Sequence, residues 1–198
     1  MKQTNRFITS IYQLPQTVFT VNELAIIFPH IKPQNLGQRL RYFSKTNGLV
    51  KLRRGLYAKT DYSRLELANK LFSPSYVSLA TVLEREGVIF QHDSTIHMVS
   101  YLSRKVTING QQIVYHKFKQ RILVNQAGLV EENGVWIASI ERAMLDVLYL
   151  FGDTYFDNLK MVNWEKLQKL ASIYESQSLV SRLKNQRKTF KKEYDHDS

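Results

Sequence analysis

The chain contains no cysteine. That absence excludes a disulfide framework, a thiolate zinc site and a cysteine nucleophile together. No stretch approaches the ~20 apolar residues that a membrane span needs. The opening Met1-Lys2-Gln3-Thr4-Asn5-Arg6 leads into amphipathic sequence instead of an apolar leader core. We therefore expect a soluble cytoplasmic protein, neither exported nor inserted. Catalytic signatures are missing as well. There is no Gly-rich phosphate loop ending in Gly-Lys-Ser/Thr, no Gly-x-Ser-x-Gly elbow, and no His-x-x-x-His or His-Glu-x-x-His metal face. Asp93 and Glu131-Glu132 are present, but no Asp followed by a Glu-x-Lys strand gives the acid-and-lysine set of a metal-dependent nuclease. His30, His92, His97, His116 and His196 are dispersed, and only His92 and His97 stand close enough to meet across a turn. The expectation is a protein without metal, without cofactor and without enzymatic activity.

What is present is 198 residues, 43% of them hydrophobic, enough for one or two compact domains. The formal charge is +11, and it is unevenly placed. Residues 1–60 hold ten basic side chains against one acid, Glu23, whereas residues 61–198 hold 18 basic and 16 acidic. A basic first third on a nearly neutral remainder is the footprint of a polyanion-binding domain joined to a part with another task. We accordingly divide the chain at 1–60 and 61–198. A second basic run, Arg182, Lys184, Arg187, Lys188, Lys191 and Lys192, reads as a final helix running into a polar tail from Glu193 to Ser198. It is either a solubilising terminus or a second nucleic-acid contact.

Within the first sixty residues the apolar spacing predicts three short helices. Phe7, Ile8, Ile11, Tyr12 and Leu14 mark the first, ended by Pro15. Thr20 and Glu23 form a capping box for the second, whose apolar stripe is Leu24, Ile27 and Phe28. Pro33 opens the third, with Leu36, Leu40 and Phe43 inward and Asn47-Gly48 as its stop. At 100° per residue the opposite face of this third helix shows Gln34, Gln38, Arg41 and Lys45, flanked by Asn35 and Tyr42, with no acid between Pro33 and Asn47. Gln and Asn amides suit adenine edges, Arg suits guanine, and Lys neutralises phosphate. Two strands around Arg53-Arg54-Gly55 then make a hairpin with guanidiniums at its tip. Helix, helix, basic helix and basic hairpin is the order of a winged helix-turn-helix. We assign contact with double-stranded DNA to Gln34, Asn35, Gln38, Arg39, Arg41, Tyr42 and Lys45 on the helix, and to Lys51, Arg53 and Arg54 on the hairpin.

Beyond Tyr62 the fold class is α+β: a mixed domain with a mostly antiparallel sheet and several helices. Ser63–Leu71 and Ser75–Val88 read as helices, the second ended by Gly87. Strands follow at 95–101, 105–108 and 112–118, the last two joined by an Asn109-Gly110 hairpin, with shorter ones at 122–124 and 135–138. Ser139 caps a helix over 140–151, and helices follow at 164–174 and 178–190.

Three runs of residues, in this order, carry a resemblance. They are Leu49-Val50 with Arg53-Arg54-Gly55-Leu56-Tyr57, then Pro74-Ser75-Tyr76-Val77-Ser78 leading to Leu83 and Gly87-Val88, then Ala138-Ser139-Ile140-Glu141-Arg142-Ala143-Met144-Leu145-Asp146. Over roughly residues 5–155 the chain resembles the AbiEi family of antitoxins, which join an N-terminal winged helix-turn-helix to a C-terminal antitoxin domain. The resemblance implies a protein of a bacterial toxin–antitoxin, abortive phage infection system. It would repress its own operon at inverted repeats, as a monomer or dimer on DNA, and counteract a nucleotidyltransferase-like toxin directly or indirectly. It also implies an antitoxin surface around Tyr76, Ser78, Glu141, Arg142 and Asp146. The plainer reading of Arg142 and Asp146, at i and i+4 on an apolar helix, is a satisfied ion pair. A stand-alone winged-helix regulator, with a C-terminal part that senses a ligand or dimerises, is the alternative function.

Overall fold

A computed structural model describes residues 2–194, with side chains from Arg6 to Lys192. Helix α1, Lys2–Gln13, buries Phe7 and Ile11. After the Pro15 break comes strand β1, Val18–Thr20, and then α2, Val21–Ile27. The Thr20 hydroxyl accepts the Glu23 amide at 3.1 Å while the Glu23 carboxylate accepts the Thr20 amide at 2.7 Å. The capping box thus satisfies donors at both ends of one turn. Leu24 and Phe28 turn inward, but Ile27 is 39% exposed, so the buried stripe of α2 is narrower than its spacing suggests. Helix α3, Pro33–Lys45, buries Leu36, Leu40 and Phe43. Its stop divides the labour of Asn47-Gly48. Asn47 takes the left-handed bend at φ 55°, while a Cβ on Gly48 would stand 3.0 Å from the Phe43 ring.

Strands β2, Val50–Arg53, and β3, Leu56–Ala58, form the hairpin, and β1 adds to it in the order β1-β3-β2. The sequence reading has no β1, because three residues are too few to show a period. Side chains alternate across this small sheet. Phe19 and Tyr57 join Leu49 and the three helices in one core, whereas Val18, Leu56 and Ala58 belong to a second, larger core built from the rest of the chain. The expected boundary near residue 60 therefore falls beside a sheet that serves both cores.

Helix α4, Arg64–Leu71, seals that junction. Its Glu66, 2% exposed, accepts the Thr17 amide at 2.8 Å and the Thr17 hydroxyl at 2.6 Å. Lys70 on the next turn stands 3.0 Å from Glu23 and 3.3 Å from Glu66, and donates to the Val18 carbonyl at 2.6 Å.

The remainder is a mixed α/β arrangement of several helices around a six-stranded sheet. Strand β4, Ser75–Val77, precedes α5, Ala80–Arg85; β5, Ile96–Ser100, β6, Arg104–Ile108, and β7, Gln111–Lys117, follow. Then come α6, Gln120–Leu123, the hairpin of β8, Leu129–Glu132, and β9, Val135–Ala138, and α7, Ile140–Phe151. Helix α8, Trp164–Leu170, a 3-10 turn, Ala171–Tyr174, and α9, Gln177–Tyr194, close the described chain. The sheet order is β6-β7-β5-β4-β9-β8. Neighbours β6/β7, β5/β4 and β9/β8 are antiparallel, and β7/β5 and β4/β9 are parallel.

Three expectations are corrected here. Residues 75–77 are a strand, not the start of a helix: three residues buried on both faces show no alternation, and they lead directly towards the apolar positions of α5. Residues 122–124 are not a strand but the end of α6 and its cap. Strand β8 goes unread, although Asn133-Gly134 repeats the positive-φ turn of Asn109-Gly110. The remaining elements form where the pattern puts them: Ser63 and Ser139 cap α4 and α7, and α9 covers the last expected helix. The end of the polar tail, from Asp195, lies outside the described residues, as does His196. Among the described residues no helix is long and apolar enough to cross a membrane.

The α4 junction gives the first prediction. Glu66→Ala removes an acceptor from Thr17 and a counter-charge from Lys70, and hydrogen bonds to charged groups are worth roughly 1.5–3 kcal/mol. The urea unfolding midpoint should fall by an equivalent of about that amount, while the exposed Asp61→Ala should stay within about 0.5 kcal/mol of wild type.

Candidate functional site

On α3 the residues opposite the core are open to solvent. Gln34, Asn35, Gln38, Arg41, Tyr42 and Lys45 are all exposed, and the Tyr42 ring meets Phe43 edge-on at 5.2 Å. Arg39 lies on the flank, half-buried, its guanidinium 5.6 Å over the Phe7 ring. Lys51 and Arg54 are exposed on β2 and at the hairpin tip. Arg53 behaves differently. Its Nη2 donates to the Leu71 carbonyl at 2.8 Å and its guanidinium lies 5.5 Å over the Phe72 ring. It fastens the hairpin to the chain beyond α4 while staying exposed, a tie that spacing along the chain does not show. Lys59 is interior, donating to the Leu14 carbonyl at 2.5 Å.

Among the described residues no carboxylate pairs with Arg41, Lys45, Lys51 or Arg54. The one acid of the first sixty residues, Glu23, is engaged by its own cap and by Lys70. What remains is a face of one sign, interleaved with amides that donate and accept. Such a face attracts a polyanion over distances near a Debye length and offers directional bonds on contact.

Tyr76, Ser78, Glu141, Arg142 and Asp146 are brought together, but not at a surface. All five are buried, Ser78, Arg142 and Asp146 completely. Asp146 accepts Ser78 Oγ at 2.7 Å, Tyr174 Oη at 2.6 Å and Tyr76 Oη at 3.2 Å. Arg142 donates to the carbonyls of Ile122 at 2.7 Å and Ala127 at 2.9 Å and to Tyr76 Oη at 3.2 Å, with Nε 3.8 Å from Asp146. Both tyrosine rings lie 5.4 Å from its guanidinium. Burial pushes the Asp146 carboxyl up, and Arg142 and the three hydroxyls pull it back. Burial, reinforced by the Asp146 charge, holds both tyrosine hydroxyls far above their ordinary range, so they remain donors. Gly128 leaves room for this cluster, since a Cβ there would stand 3.1 Å from Arg142 Cβ.

Glu141 joins α7 to α8 through Lys166 at 2.8 Å, Ser139 at 2.8 Å and the Asn163 amide at 3.3 Å. Burial raises its carboxyl, but those partners outweigh burial and hold it below the usual range. The expected antitoxin surface is therefore an interior framework. Tyr174 belongs to it and was not foreseen, because nothing in the sequence links a residue of a short 3-10 turn to a carboxylate 28 positions earlier.

A second unforeseen group lies across β5 and β7. His97 Nδ1 faces His116 Nε2 at 3.1 Å, and His97 Nε2 faces Asp93 at 3.2 Å. His92 pairs with Glu84 and not with His97. The parallel pairing of β5 and β7, which skips β6, makes this contact, so spacing along the chain does not show it. No set of three or more His, Asp or Glu side chains suited to hold a metal ion occurs among the described residues. On α9 the exposed basic residues are Lys184, Arg187, Lys188, Lys191 and Lys192, whereas Arg182 donates to the Leu148 carbonyl at 2.7 Å.

No protein-family model and no curated protein matches the chain.

The buried pair yields a prediction. Arg142→Met removes the counter-charge of Asp146 and the donor of two buried carbonyls, a change that costs about 3–5 kcal/mol where one partner of a buried pair is lost. Urea denaturation should show that loss. The histidine pair yields another. Burial, with the His97 charge beside it, lowers His116 to about 4 from 6.5. The folded chain thus binds this proton more weakly than the unfolded one, so the contribution of His116 is complete above pH 6.5 and is lost as pH falls towards 4. The urea midpoint should drop between about pH 7 and pH 5, and drop less in His116→Gln.

Proposed function

We propose that the chain is a double-stranded DNA-binding repressor whose first sixty residues act as a winged helix-turn-helix, and that it serves as the antitoxin of a bacterial toxin–antitoxin system. One observation carries the DNA reading: an exposed, acid-free face on α3, in a helix-strand-helix-helix-hairpin chain whose small sheet runs β1-β3-β2. In this reading α3 enters the major groove, whose ~12 Å width matches a helix of ~10–12 Å diameter. Gln34, Gln38 and Arg41 then reach base edges, and Lys45, Lys51 and Arg54 meet backbone phosphates. A single winged module covers one short half-site, so a tight operator calls for inverted repeats bound by a dimer or by two monomers.

The antitoxin reading is supported by the resemblance to AbiEi antitoxins, whose ordered motifs run from the hairpin through Tyr76 to Asp146. In it the protein acts in the cytoplasm by binding, without catalysis, and counteracts a nucleotidyltransferase-like toxin. The buried network around Asp146 frames the C-terminal part, and contact with a partner falls to exposed residues around it.

On the duplex upstream of its own coding sequence, Arg41→Ala should cost about 1–3 kcal/mol and relax preference at one base pair, while Lys45→Ala weakens all sequences alike. Equal losses on operator and random duplex for Arg41→Ala reject base reading. About three phosphate contacts, from Lys45, Lys51 and Arg54, should give a log affinity falling with log salt at near 0.9 per contact. A flat salt profile rejects the DNA interface. Co-expression with a neighbouring nucleotidyltransferase tests the other half: rescue of its toxicity supports the antitoxin reading, and failure leaves a stand-alone regulator.

A further inference from the structure

Between α1 and the segment leading into α3 lies an open cleft of about 810 Å³. Its walls carry Arg6, His30, Lys32 and Arg39, its floor Phe7 and Phe28, whose ring centroids are 5.0 Å apart. No acid lines it, and among the described residues none of these basic side chains is in an ion pair with a carboxylate. Like charges gathered around a cavity without a counter-charge repel one another, and an anion placed among them relieves that repulsion. Arg39 is already oriented for the task. Its guanidinium lies 5.6 Å over the Phe7 ring, which restrains the long side chain and removes water from one of its faces.

The first turn of α3 borders the same cleft through Asn35. Lys32 occupies the cap position without a side-chain hydrogen bond, and Pro33 follows at the first helical position. The start of this 13-residue helix is therefore uncapped by any side chain, and its free amides favour an anion beside the cationic walls. Three features point to one ligand chemistry: separate cations on different elements, uncapped helix amides, and no carboxylate among them. That chemistry is a phosphate group, whose several oxygens accept from donors arriving in different directions.

We propose that this cleft is a phosphate-binding site and that it holds a backbone phosphate of the duplex whose groove α3 reads. The inference rests on the DNA reading for the source of the phosphate. Asn35 follows Gln34 directly in α3 and lies on the helix flank shared with Arg39, so the cleft adjoins the base-reading face. A strand whose bases meet Gln34 and Gln38 can pass its phosphate over the cleft. The site lies on the α1 side of α3, away from the hairpin contacts assigned above, and it gives α1 a part in the interface through Arg6.

The test uses the full chain and the double variant Arg6→Ala, Lys32→Ala. Both side chains are exposed, and matching thermal melts verify that the variant folds. Affinity for operator and for random duplex is measured across a salt series. The expected result is a slope of log affinity against log salt shallower by about 1–2 than wild type, in line with one or two lost phosphate contacts, and equally so on both duplexes. An unchanged slope in a variant that binds duplex overturns the cleft proposal and leaves the DNA reading intact. A wild-type chain that binds neither duplex overturns the DNA reading and the backbone assignment together. Inorganic pyrophosphate supplies the remaining arm. Saturable binding that is lost in the variant, with duplex slopes unchanged, assigns the cleft to a free phosphate ligand and overturns the backbone source.

Discussion

The carboxyl of Asp146 is shut off from water, and a buried carboxyl without donors is among the most costly groups a fold can hold. Its donors come from two places far apart in the chain, β4 with the residue after it and the 3-10 turn before α9, while Arg142 on α7 itself sets a positive charge 3.8 Å away. Arg142 extends the same set to the carbonyls of Ile122 and Ala127, which fixes α6 and the loop before β8. The position of β4 in the sheet, the packing of α8 and α9 against α7, and the left-handed turn at Gly128 are thus conditions of one polar cluster. Strand β4 is central, with β5 on one side and β9 on the other, so a constraint on Ser78 and Tyr76 reaches the whole sheet.

The first sixty residues are coupled to that framework through a sheet with two faces. Val18, Leu56 and Ala58 commit one face to the larger core, and Glu66 and Lys70 close over its edge. Arg53 adds a further tie through Leu71 and Phe72. The exposed face of α3 is therefore carried on a body whose orientation is set by buried contacts on its opposite side. A surface held in this way has given up conformational freedom on folding, and that freedom need not be lost again on binding.

How far these features can be read from the chain follows from the distance over which each cause acts. The capping box at Thr20, the Asn47-Gly48 stop, the face of α3 and the Asn109-Gly110 hairpin depend on residues within a turn or two, and each stands where spacing puts it. Residues 75–77 mislead because burial on both faces erases the alternation that marks a strand. The same limit applies to site residues. Exposure of Gln38 and Arg41 follows from helix geometry alone, whereas the anchoring of Arg53 by Leu71 and the meeting of His97 with His116 depend on tertiary pairing. Tyr76 and Ser78 stand in one run of the resemblance and Arg142 and Asp146 in another; the fold joins them, and burial turns the set inward.

That inward turn also changes what the charge of the chain means. Of the ten basic residues among the first sixty, the nine whose side chains are described do not form one patch. Lys59 is interior, Arg53 is a tie, Arg6, Lys32 and Arg39 surround the cleft, and Arg41, Lys45, Lys51 and Arg54 remain on the helix and hairpin. Among the described residues no carboxylate pairs with these surface groups, so they repel one another in the free protein. A fold tolerates that repulsion only if interior contacts outweigh it, and those contacts lie on both faces of the small sheet, in the two cores, and at the α4 junction. A polyanion that neutralises the open face relieves a cost already present in the unbound chain, so binding and folding draw on one electrostatic balance.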